Sequence, residues 1–112
     1  MAPQVPLVVT PEATWLALDW GMERELEQML DWVRHNVPGL QAIRVEVGHR
    51  WDSSTFPPSI IIWAHQYPPP ASTRDPLIEW DWAGWKAQTF SHQVCTRFTM
   101  TRVYHPLAAE AA

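Results

Sequence analysis

From Trp15 onward, apolar side chains recur at intervals of three and four residues: Trp15, Leu18, Met22, Leu26, Met29, Val33 and Val37. Such spacing lays one apolar stripe along an amphipathic helix. Thr10-Pro11-Glu12 signals its start, with a hydroxyl for the N-cap, proline for the first helical position and an acid for the first turn. Asn36-Val37-Pro38-Gly39 carries the breakers that end it. The pattern predicts helix over 11–36, with Gly21 as its weak point.

The period then changes to two. Ile43, Val45 and Val47 alternate with Arg44, Glu46 and Gly48, which predicts a half-buried strand over 41–50. Residues 59–67 include Ile60-Ile61-Ile62-Trp63, apolar on both faces, as a central strand would be. Pro68-Pro69-Pro70 stops its ladder. Over 77–82, Ile78, Trp80 and Trp82 alternate with Glu79 and Asp81, again strand-like. A last strand is predicted over 91–104, where Val94, Phe98, Met100 and Tyr104 share a face. Residues 1–9 read as an extended arm with Leu7-Val8-Val9 as a short edge strand, and 107–112 as a frayed tail.

These elements predict a single α+β domain over 1–112: one long N-terminal amphipathic helix packed on a roughly four-stranded antiparallel sheet. The alternative is a ferredoxin-like βαββαβ order, which requires Leu7–Val9 as a strand and 75–88 as a second helix. The alternation of Trp80 and Trp82 argues against that helix.

Composition narrows the function classes. The 112 residues are 46% hydrophobic, enough for one core without crosslinks. Net charge is −4, and the basic residues are seven Arg and the single Lys86. That balance argues against nucleic acid and anionic membranes as partners, since both demand a basic patch. No run of 18 apolar residues occurs, so no membrane span is expected. The first ten residues lack a basic region and contain Pro3 and Pro6, unlike a secretory signal. Cys95 is the only cysteine, which rules out an intrachain disulfide and suits the cytoplasm, or a particle assembled there. The eleven prolines alternate with apolar runs and read as rigid loops between packed elements.

Candidate chemistry is sparse. His92 and Cys95 lie three apart on a predicted strand and so on opposite faces, and His49 and His65 could meet across a ladder without a third ligand. His35 and His105 add no ligand spacing, so neither a metal nor a cofactor is expected. Cys95 has no base beside it and reads as an inert thiol. Nucleophile-elbow, phosphate-loop, dinucleotide and zinc-protease motifs do not occur. Asp19 is the one carboxylate near the helix stripe, within about 50° of its centre at 100° per residue. Two readings follow. Asp19 could serve as acid or base in a pocket between helix and sheet, with His65 and Tyr67, in a small enzyme or small-molecule-binding protein. Alternatively the chain breaks at Asp19-Trp20-Gly21 and Asp19 caps a second helix, which is the favoured reading.

The eight tryptophans carry the stronger signal. Trp15, Trp63, Trp80 and Trp82 fit core positions. Trp20 falls opposite the stripe, Trp32 on its flank, and Trp51 and Trp85 beside loops. Indoles outside the core, backed by arginine, mark association surfaces. The expectation is a non-enzymatic protein–protein interaction or assembly subunit, of adaptor, inhibitor or virion-assembly type. It would form a homo-oligomer or join a larger complex, with Trp20, Trp32, Trp51, Trp85 and Arg24 as anchors.

Overall fold

The computed structural model describes residues 5–48, 58–67 and 77–104. The chain runs β1 (Leu7–Val9), α1 (Pro11–Trp20), α2 (Glu23–Asn36), β2 (Leu40–Gly48), β3 (Ser59–Gln66), α3 (Ile78–Thr89), α4 (His92–Cys95) and β4 (Phe98–Tyr104).

The long helix expected over 11–36 is two helices. Thr10 caps α1 as anticipated, its hydroxyl accepting from the Ala13 N–H at 3.3 Å, with Pro11 next. At the other end Gly21 adopts φ 67°, and the Gly21 and Met22 N–H groups close onto the Leu18 and Ala17 carbonyls at 3.0 and 2.9 Å. This left-handed terminus suits glycine and stops the helix two residues before α2 begins. The break also shifts the phase of the stripe. In α1 the buried side chains are Ala13 and Ala17, with Leu16 and Trp20 packed beside them, while Trp15 and Leu18 are 69% and 54% exposed. Beyond the break, Leu26, Met29 and Val33 of α2 are buried as their spacing predicts, and Leu30, which the stripe omits, is buried with them.

The sheet is mixed, not antiparallel as expected. Only β2 and β3 run antiparallel, from Leu40↔Gln66 to Gly48↔Ser59. β1 lies parallel to β2 and β4 parallel to β3, giving the order β1-β2-β3-β4. The cause is the helical segment inside each outer pair. It carries the chain back to the end where it started, so the next strand points the same way.

Two predicted strands are corrected as well. Residues 77–82 enter α3, where Ile78 and Trp82 are buried four apart and Trp80 faces solvent. An alternating Ile78-Trp80-Trp82 fits a period of two but also contains the helical i, i+4 pair. Glu79 and Asp81 favour the helix, as acids in its first turn. In the stretch 91–104, Ser91 caps the single turn α4, accepting from the Val94 N–H at 3.4 Å, and the strand starts only at Phe98. The ferredoxin-like alternative fails too, although a strand at Leu7–Val9 and a helix over 78–89 are present. That fold splits its βαβ units, whereas here each crossover joins immediate neighbours. Residues 49–50 of the predicted second strand, 1–4 of the arm and the tail lie outside the described residues.

One core fills the space between helices and sheet. Ile43, Val45, Ile60, Ile62, Ala64, Phe98 and Met100 face the helices, and Trp32 of α2 stacks on Trp85 of α3 over the same layer. The two crossovers step the same way across the sheet from strands that point opposite ways, and both pass over this one face. They therefore have opposite hands, and one departs from the usual right-handed rule. The consequence is a second sheet face on which none of the described helices packs, bearing Arg44, Glu46, Ile61, Trp63, His65, Thr99 and Thr101.

Candidate functional site

Pairing of β1 with β2 delivers the chain into α1 beside the end of β2, where the Thr10 N–H donates to the Val45 carbonyl at 3.0 Å. Helix α1 then runs with Ala13 and Ala17 against the sheet, and small side chains allow a close approach. Its flank and the β2–β3 end bound a groove of about 510 Å³, lined by Glu12, Trp15, Leu16, Asp19, Val47 and Pro58. The floor is apolar. Glu12 and Asp19 stand at its rim, seven residues or about 10 Å apart along the helix. Neither carboxylate has an ion-pair partner among the described residues.

A second groove, about 420 Å³, lies between α2 and α3, with Trp32 and Trp85 beside Gln28, Asp31, His35, Asn36 and Thr89. The two indoles stack at 5.6 Å with 25° between planes, and Phe90 meets Trp85 edge-on at 5.4 Å. Most of the polar rim is committed to its own helix. Asp31 pairs with Arg34 at 3.0 Å, the Asn36 amide donates to the Trp32 carbonyl at 2.8 Å, and the Thr89 hydroxyl donates to the Trp85 carbonyl at 2.7 Å. This groove is a packing seam between helices first and an opening second.

Behind it, the only lysine has a structural task. The Lys86 ammonium donates to the carbonyls of Cys95 and Phe98, both at 2.9 Å, and lies 4.2 Å from the centre of the Trp82 ring. It thus ties the end of α4 and the start of β4 to α3. Burial pushes its pKa below the usual 10.5, and the adjacent Cys95 partly offsets that. Cys95 is free and half-buried, its thiol donating to the Lys86 carbonyl at 3.3 Å.

The anchors expected from the sequence are spread over the helical layer. Trp20 is half-buried rather than projecting, edge-on to Phe98 at 6.1 Å with the Arg97 guanidinium 4.7 Å from its ring centre. Trp32 and Trp85 form the stacked pair, Arg24 is exposed in the first turn of α2, and Trp51 lies outside the described residues. Among the described residues the exposed indoles are two that the spacing assigns to the core, Trp15 at 69% and Trp80 at 78%. Each has an exposed leucine three positions away, Leu18 and Leu77. One signal could have placed Trp15. Once Gly21 is taken as a helix end, Ala13, Leu16, Ala17 and Trp20 make a stripe of their own, and Trp15 falls off it.

The acid–base alternative is not assembled. Asp19 is exposed in the last turn of α1 and lines the groove, whereas Met22, not Asp19, occupies the N-cap of α2. His65 lies on the sheet face away from the described helices, and Tyr67 follows β3 at the end remote from Pro58, about 30 Å along the strand. His92 and Cys95 share the one turn of α4 instead of opposite strand faces. His49 and His105 lie outside the described residues. Among the described residues no three His, Cys, Asp or Glu side chains gather to hold a metal, and no helix is long and apolar enough to cross a membrane. Comparison with protein-family models, with curated proteins and with solved structures finds no match to this chain.

Proposed function

We propose that this chain is a protein-association module, acting through preformed apolar surfaces on its helical layer and not through a reaction. The observation that carries the reading is the pair of outward Trp–Leu sets, Trp15 with Leu18 on α1 and Leu77 with Trp80 at the start of α3. An indole held in water gains the folded monomer nothing, yet the same ring is a preferred anchor once a partner desolvates it. Both sets sit on helices whose opposite sides are locked in the core, so little ordering cost remains to be met on binding. Self-association and docking on a larger complex both fit. The setting proposed is the cytoplasm or a particle assembled there, in keeping with a lone free cysteine.

Site-specific photo-crosslinking tests this. A benzophenone amino acid is placed at position 15, at position 80 and, as a control, at the exposed Ala87 of α3, and sedimentation velocity is run on the parent across a concentration range. Crosslinks to one defined protein, or to a second copy, are expected from 15 or 80 and not from 87. A parent that stays at 12.9 kDa, with crosslinking at 15 and 80 no greater than at 87, would sink the proposal.

A further inference from the structure

Resting on the association reading, the geometry points to a specific binding site: the groove between α1 and the β2–β3 end receives an apolar side chain from a basic segment of another protein. The groove has the dimensions of a ligand site, at about 510 Å³, and its walls are the side chains of Trp15, Leu16, Val47 and Pro58. The groove is shallow and open, so an apolar side chain laid in it would exchange water on one side for the faces of Trp15, Leu16 and Val47, a gain in proportion to the apolar area covered.

The rim decides what surrounds the anchor. Glu12 and Asp19 bracket the groove at two helical turns, both exposed and neither engaged by a cation among the described residues. Two unpaired carboxylates about 10 Å apart attract a segment with basic residues at matching separation, such as Arg or Lys seven apart on a helix. A second copy of this chain is a poor fit, because it brings net charge −4. Its Arg34, Arg44 and Arg102 are paired with Asp31, Glu46 and Glu79, and Lys86 is committed to the Cys95 and Phe98 carbonyls. Exposed Arg24 has Ala17 and Asp31, not a basic residue, seven positions away. Arginine suits the occupant best, since its planar fork meets a carboxylate bidentately and its stem can lie on Trp15. Exposure of the two carboxylates makes the pairing a matter of selection and on-rate more than of affinity, and hence sensitive to salt.

The test uses the full chain and three labelled 14-residue peptides. One carries a Leu-Phe centre flanked by two arginines seven residues apart, one has glutamate for both arginines, and one has serine for Leu and Phe. Fluorescence anisotropy measures affinity, and amide shift perturbation locates the contact. The arginine peptide is expected to bind about tenfold or more tightly than either counterpart, and to weaken as salt rises. Its shifts should fall on residues 12–19, 47 and 59. The double variant Glu12→Gln, Asp19→Asn, which alters only exposed groups, should lose about fivefold or more of that affinity, while Trp80→Ala leaves it unchanged. Equal binding of the glutamate peptide, shifts centred elsewhere, or no binding up to about 1 mM overturns the assignment. Crosslinking from position 80 keeps the two ideas apart. Capture there without peptide binding leaves association standing and removes only the groove, and a partner crosslinked at 15 through a segment without basic residues does the same.

Discussion

The two halves of the chain have the same plan, strand, helical segment, parallel strand, and fill it by different means. In the first half, α2 buries Leu26, Met29, Leu30 and Val33 on one side and sets Glu23, Arg24, Glu27, Gln28 and Asp31 on the other. In the second half, α3 has no such division. It buries Ile78 and Trp82, half-buries Trp85 and Lys86, and leaves Trp80 in water. The first half is held by the usual segregation of apolar from polar surface. The second relies on a few large, specifically placed groups: one indole in the core, one stacked on Trp32, and an ammonium bound to two carbonyls. Where a helix is specified by few contacts, each contact should matter more and each outward ring should matter less.

The largest effect should separate two indoles only two positions apart. Trp82 is 3% exposed, so Trp82→Ala is expected to cost about 3–5 kcal/mol in denaturant unfolding. On a strand Trp80 and Trp82 would share a face and respond together; on α3 they should not. A similar loss from Trp80→Ala would restore the strand reading of this segment.

Lys86 comes next. Lys86→Met keeps the length of the stem but leaves the Cys95 and Phe98 carbonyls without their donor, and a loss of about 1.5–3 kcal/mol is expected. A companion effect appears with pH. Because burial lowers the folded pKa below 10.5, the unfolded chain binds more protons between the folded pKa and 10.5. The Lys86 contribution to stability should therefore rise as pH climbs through that window and be at its least below it. Urea titrations of parent and Lys86→Met across this range isolate it as a difference in slope; a parent that loses stability there relative to the variant would reverse the sign.

Gly21 marks the point in the first half where one helix becomes two. At φ 67° a Cβ is strained by the backbone alone, since nothing lies within 4 Å of where it would stand. Gly21→Ala should cost about 1–2 kcal/mol, measured by thermal or chemical unfolding. No cost would mean that the two-helix geometry is not enforced there. Read from the sequence, Gly21 is visible as a weak point, and the stripe of α2 and the alternation of β2 are visible without it. The phase shift is not, because spacings of three and four bridge the break and carry Trp15 and Leu18 into a stripe they do not share. The strand directions are hidden for a related reason. Alternation reports which face is buried, not which way the neighbouring strand runs, and the crossover helix that would have revealed it was disguised by Ile78-Trp80-Trp82. The groove is not legible in the sequence because its lining comes from α1 and from Val47 and Pro58, on either side of the β2–β3 connection.

The smallest effect on stability belongs to the most exposed ring among the described residues. Trp80 is 78% exposed at the start of α3, and the helix has alternatives to it, since alanine is the better helix former. Trp80→Ala should leave unfolding within about 0.5 kcal/mol of the parent, the ordinary range for a surface change. If Trp80 anchors a partner, the same variant should weaken that association by about 2 kcal/mol or more, because an indole that is desolvated only in the complex contributes only there. The two numbers must separate for the reading to hold. Equal small losses in both assays would make Trp80 an idle surface residue, and the association surface would then rest on α1 alone. A large loss of stability would instead place the ring in the core and collapse the contrast between the two halves.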